Sequence, residues 1–154
     1  MPKNKHLTAR SLENCLACAC LSLRQASRMV TQLFDDALVP VGLLSTQLPV
    51  LVVLALHGPL TISRLASLII IDRTTLTRNL KPLQDRDYIR TVATNDKRKN
   101  LLEISPKGRQ VIADAYPLWQ KAQGQIVQGL RPGDWKQVRA QLGQLVQIAG
   151  KRLS

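Results

Sequence analysis

The chain has 154 residues, 45% hydrophobic and only 3% aromatic, which fits one domain, 1–154, with a Leu/Val/Ala-packed and mainly helical core. A net charge of +12, from 22 basic and 10 acidic residues, calls for a polyanionic partner: nucleic acid, an acidic protein or an acidic surface. The apolar run from Leu48 to Leu56 falls well short of the ~20 residues a membrane helix needs, so no membrane span is expected and the chain is placed in the cytoplasm.

Near the amino terminus, Lys3, Lys5 and Arg10 precede an apolar stretch in the manner of a secretion signal, but Glu13 and Asn14 interrupt it. Leu12, Leu16, Ala19, Leu23, Ala26, Val30, Leu33 and Ala37 instead alternate steps of four and three, which predicts one helix of about thirty residues. Thr8 caps it, with Leu7 and Leu12 as a hydrophobic staple, and it stops before Pro40.

Three cysteines, Cys15, Cys18 and Cys20, lie in this segment and nowhere else in the chain. On a straight helix Cys15 and Cys18 share a face, about 60° apart, while Cys20 lies about 140° from Cys15, so one helix offers two thiolates to an ion but not three. A three-ligand site therefore needs the helix to unwind, cysteines from a partner subunit, or a light ligand. Soft thiolates select As(III), Sb(III), Cu(I) or an oxidant over a four-ligand zinc site. Packing as small apolar side chains is the alternative.

The next helix is predicted from about Ser45 to Leu56, ended by His57-Gly58-Pro59. Thr61 caps a further helix carrying Ile62, Leu65, Ala66 and Ile69 at helical spacing. Asp72 caps another, whose buried stripe is Leu76, Leu80 and Leu83, with Pro82 loosening its end. Opposite that stripe lie Thr74, Thr77, Arg78 and Lys81, with Arg73 and Thr75 in the first turn. Hydroxyls and cations without an acid suit a major groove, where Arg pairs with guanine edges and Thr meets bases or the thymine methyl.

Tyr88–Thr94 and Leu101–Ile104 are rich in β-branched residues and flank a polar turn, which predicts a hairpin with a cationic tip. Lys97, Arg98 and Lys99 at that tip suit a minor groove or phosphates, with Asp96 orienting Arg98. Ser105-Pro106 then opens a helix through Ile112, Tyr116, Trp119, Ile126 and Leu130 to a break at Arg131-Pro132-Gly133, and a last helix starts at Asp134.

Two short capped helices followed by a basic hairpin is the order of a winged helix-turn-helix. The stretch from Ser45 to Gly108, with Thr46-Gln47, Leu65-Ala66, Asp72-Arg-Thr-Thr-Leu-Thr-Arg, Asp96-x-Arg98 and Leu102-Glu-Ile-Ser-Pro-Lys-Gly108, resembles the MarR family of bacterial winged-helix regulators. The resemblance implies a homodimer, usually a repressor, that reads a pseudo-palindromic operator on double-stranded DNA, its wing arginine matching Arg98. Asp87 departs from the pattern, since the family commonly has Gly there.

The fold expected is therefore mainly α with a small β-hairpin wing: a winged helix-turn-helix, 45–104, flanked by dimerisation helices, 8–38 and 106–152. The apolar stripes of those terminal helices are too long for the central unit to bury, which also points to a dimer. No cofactor is called for, and no nucleophile elbow, phosphate loop or dinucleotide fingerprint is present, so the chain is not expected to be an enzyme. An effector at the cysteines that favours the spacing incompatible with DNA would release the operator by linkage. The resemblance also allows an aromatic acid bound between the dimer region and the winged helix. A rival class is a cytosolic thiol protein that binds soft metals without reading an operator.

Overall fold

The computed structural model describes residues 7–93 and 100–150. In chain order the elements are α1 (Ala9–Leu16), α2 (Ala19–Leu38), a 3-10 turn (Val39–Val41), α3 (Leu48–His57), β1 (Leu60–Thr61), α4 (Ile62–Ile69), α5 (Arg73–Asp85), β2 (Ile89–Ala93), β3 (Asn100–Ile104), α6 (Pro106–Gln128) and α7 (Asp134–Gly150). The three strands form one antiparallel sheet in the order β1-β3-β2, with Leu60 opposite Leu102 and Thr91 also opposite Leu102 on the other side. This is a winged helix-turn-helix with long flanking helices.

The first predicted helix is corrected by the structure. Instead of one run of about thirty residues there are two helices, because the backbone at Cys18 is extended (φ −72°, ψ 128°) and Cys18 becomes the N-cap of α2. The apolar heptad runs across this break undisturbed, since side-chain spacing does not register one residue leaving the helical region. The predicted start at Thr8 holds: its hydroxyl accepts from the Ser11 N–H at 3.2 Å. The helix expected from Ser45 starts at Leu48, after a turn in which the Leu44 N–H donates to Gln47 Oε1 at 3.0 Å.

Leu38, Leu43, Leu51, Leu54, Leu65, Leu76 and Leu83 are all but removed from solvent and join the ends of α2, α3, α4 and α5 in one core. Burial of each such side chain is worth roughly 1.5–3 kcal/mol, so this cluster fixes how α5 sits on α3 and α4. The sheet and the start of α6 close the core through Ile89, Leu102, Ile104 and Val111.

By contrast, α1 and α7 bury no residue at all. Leu12, Leu16, Leu142, Leu145, Val146 and Ile148 stand exposed in a single chain.

Candidate nucleic-acid interface

Asp72 starts α5 as its sequence pattern predicts. Its Oδ1 accepts the Thr75 N–H at 2.8 Å, and hydrogen bonds from the Thr75 side chain and N–H hold the Asp72 carboxyl below the usual carboxylate range. The preceding turn is tight: Ile70 takes the left-handed conformation (φ 55°), and the Ile71 N–H donates to the Ala66 carbonyl at 3.0 Å. A β-branched residue rarely adopts this conformation, so the turn between α4 and α5 is held by its surroundings at some cost.

Leu76, Leu80 and Leu83 bury one side of α5 and leave Arg73, Thr74, Thr77, Arg78 and Lys81 exposed on the other. The expected grouping of these five is thereby present. Three of the predicted residues have local partners that sequence spacing did not show. The Thr77 hydroxyl donates to the Arg73 carbonyl at 2.7 Å, which commits its proton within the helix and leaves the exposed oxygen free to accept. Lys81 pairs with Asp85 across one turn, Nζ to Oδ2 at 3.3 Å, at the end of the helix remote from its N-terminus. Thr75 is half-buried and serves the cap. The cationic groups of the first turns, Arg73 and Arg78, carry no ion pair among the described residues.

The wing's base is well defined. Asp87 adopts the left-handed conformation (φ 58°) where the family commonly has Gly, and its carboxylate holds the Arg90 guanidinium with two bonds of 2.9 Å. That pairing keeps the Asp87 carboxyl below its usual range. Ser105 is buried and joins wing to α6: its N–H donates to the Tyr88 carbonyl at 2.9 Å, its hydroxyl donates to the Asp87 carbonyl at 2.5 Å and accepts the Gly108 N–H at 2.9 Å. Lys107 lies 5.5 Å from the centre of the Tyr88 ring. From its local sequence Ser105 reads only as a helix cap; the wing contact depends on a partner 18 residues away. Asp96, Lys97 and Arg98, expected at the tip, lie outside the described residues.

Cys15, Cys18 and Cys20 are free thiols, all exposed, at the end of α1, at the break and in the first turn of α2. Among the described residues no three His, Cys, Asp or Glu side chains are grouped to hold a metal ion. The backbone N–H groups of Leu21 and, less strongly, Cys20 face the Cys18 sulfur and lower its pKa, although no capping hydrogen bond is closed by the thiol. A helix N-terminus favours the anion, so the thiolate gains what the thiol does not.

Between α3 and α6 an apolar cleft of about 450 Å³ is lined by Leu48, Pro49, Val52, Ile112, Tyr116 and Trp119. The Tyr116 and Trp119 rings stack with centroids 6.0 Å apart. An adjoining cleft shares Leu48, Pro49 and Trp119 and adds Thr31, Ser45 and Thr46 as polar groups. No helix among the described residues is long and apolar enough to cross a membrane.

The sequence signature of the MarR family matches residues 41–99. The solved structure of the M. tuberculosis transcriptional regulator MosR in complex with DNA is 39% identical, with a TM-score of 0.80 over 87% of this chain and 97% of that one. A probable transcriptional regulator of Pseudomonas aeruginosa is 27% identical, with a TM-score of 0.76 over 83% of this chain and 96% of that one. The uncharacterized HTH-type transcriptional regulator YwoH of Bacillus subtilis is 24% identical over 112 residues, 73% of this chain and 82% of the relative. The chain belongs to the MarR family of DNA-binding transcriptional regulators, which are not enzymes.

Proposed function

We propose that the chain is a homodimeric repressor that reads a pseudo-palindromic operator through α5 and is released by an effector acting on its cysteines. The observation that carries this reading is the exposed face of α5, where Arg73, Thr74, Thr77 and Arg78 stand together and neither arginine is held in an ion pair among the described residues. In this reading Arg73 and Arg78 contact base edges or phosphates, Thr74 and Thr77 supply methyl and hydroxyl contacts, Thr75 keeps the cap in place, and Lys81 reaches phosphate at the far end. The tip residues Asp96, Lys97 and Arg98 serve the minor groove.

The dimer is supported by the exposed Leu12, Leu16, Leu142, Leu145 and Ile148, since a free chain seldom leaves so much apolar surface on its terminal helices. The unit is thus assigned as one domain, 45–104 reading DNA in the cytoplasm and 8–38 with 106–152 joining two chains.

For the effector, the lowered pKa of Cys18 at the break favours thiol chemistry: an oxidant, or As(III) or Sb(III) whose third thiolate comes from the partner chain. A second reading is favoured by the apolar cleft. Its aromatic lining suits a small aromatic molecule, and because none of its lining residues is a cation, a neutral aromatic fits one chain's contribution better than an acid does.

Enrichment of duplexes from a random pool tests the reading. Wild-type protein is expected to select a two-fold repeated sequence, and Arg78→Ala to weaken binding and relax preference at one position by about 1–3 kcal/mol. Equal recovery of all duplexes, with binding untouched by Arg78→Ala, favours the soft-metal thiol protein instead.

A further inference from the structure

The C-terminal end of α5 has a partner that DNA reading by its N-terminal turns does not explain. Arg86, the residue that closes α5, donates a guanidinium hydrogen bond to the Gly42 carbonyl, 44 residues earlier, at the corner that joins α2 to α3. That corner is built firmly. Gly42 is left-handed (φ 65°) with its N–H bound to the Val39 carbonyl at 2.9 Å, and Asp35 Oδ1 accepts the Ser45 N–H at 2.6 Å from the last turns of α2.

Glycine is needed at 42 for a second reason besides its φ. A Cβ there would lie 2.9 Å from Arg86 Nη1, so any side chain displaces the guanidinium. Asp35 and Asp36 line the same cleft of about 460 Å³ and add negative potential around Arg86 without an ion pair within range. Pro82, in the last turn of α5, lines this cleft as well.

The geometric consequence follows from the length of α5. Thirteen residues span about 20 Å, and the buried row Leu76, Leu80 and Leu83 lets a rigid helix rock as one piece, so a tilt at the Arg86 end is carried to the Arg73 end. A displacement of about 1 Å is enough to spoil paired hydrogen bonds to a base.

We propose that Arg86 is a positioning residue for DNA reading: by holding the Gly42 carbonyl it fixes the angle of α5 against the end of α2. This rests on α5 being the reading helix. Such a link also makes α5 answer to any movement of α2, the helix that Cys18 caps and whose first turn holds Cys20.

The test compares wild type, Arg86→Ala, Gly42→Ala, the double variant and Arg78→Ala on a duplex enriched by the wild-type protein and on its scrambled counterpart, across a range of salt. Arg86→Ala is expected to lower affinity for the enriched duplex about tenfold, to leave scrambled-duplex binding unchanged, and to leave the salt slope unchanged. Gly42→Ala is expected to cost less in the Arg86→Ala background than in the wild type, because the Cβ then has no guanidinium to displace. Thermal melts confirm that each variant is folded. Loss of affinity for both duplexes with a slope reduced by about 1 makes Arg86 a phosphate contact and overturns the proposal. Unchanged affinity, or equal costs for Gly42→Ala in both backgrounds, overturns it as well. If Arg78→Ala is also silent, the reading of α5 itself has failed; if Arg78→Ala is damaging and Arg86→Ala is not, only the positioning role has.

Discussion

Gly108→Ala puts the junction of wing and α6 under direct load. An added Cβ would lie 2.1 Å from the Tyr88 carbonyl oxygen and 2.8 Å from Ile104 Cγ1. The first is a backbone atom that also accepts the Ser105 N–H, so helix and strand must separate by about 1 Å or more before ordinary contact returns. Overpacking of this kind costs about 1–3 kcal/mol, and weakening the Ser105–Tyr88 and Gly108–Ser105 hydrogen bonds adds about 1 kcal/mol. The expected loss is therefore about 2–4 kcal/mol, or roughly 5–15 °C in Tm for a chain of this size. Thermal and urea unfolding at one fixed chain concentration measure it, since a dimer's stability depends on concentration. Gly124→Ala is the internal contrast: its Cβ meets only the end of the Gln128 side chain at 3.9 Å, and mid-helix Ala is worth up to ~1 kcal/mol over Gly. A Gly108→Ala protein within about 0.5 kcal/mol of wild type would refute the packing argument.

Ile70→Gly relieves a left-handed β-branched residue that is three-quarters exposed, and is expected to raise stability by about 1 kcal/mol in the same unfolding assay; a loss would show that the Ile70 side chain makes a contact worth more than the strain. Asp72→Asn keeps a capping oxygen but removes the charge. Because the native pKa of Asp72 is lowered, its charge stabilises the fold above the unfolded value near ~3.9 and that contribution disappears as pH falls through the native value, so the variant should show a shallower stability loss below about pH 4. Identical acid profiles would remove Asp72 from the account. At neutral pH Cys18 should alkylate faster than Cys15 and Cys20 in peptide-resolved labelling, and equal rates would contradict a favoured thiolate at the α1–α2 break.

The reading of α5 was legible in the sequence because each of its signals is local: a capping Asp, three leucines on one side, cations and hydroxyls on the other. The wing strands were legible for the same reason. What escaped depended on partners distant in sequence. β1 is two residues long and exists only through pairing of Leu60 and Thr61 with Leu102 and Leu101, while Thr61 reads on its own as the cap of α4. Ser105 announced a helix start, yet its bonds to Asp87 and Tyr88 appear only when strand and helix meet. The break at Cys18 was hidden by a heptad that stays in register across it, and cysteine is not a residue that marks a cap. Asp87 is the instructive case, for the departure from Gly did coincide with a left-handed backbone, and the bond pair with Arg90 shows what Asp offers in exchange for Gly's freedom.

The most direct measurement is a base-resolved footprint of the wild-type protein on its enriched duplex, combined with the mass of the complex in solution. Two chains should protect two major-groove patches on one face of the duplex, centred about 34 Å apart. A single protected patch, or a complex containing one chain, would contradict the paired reading of DNA by α5.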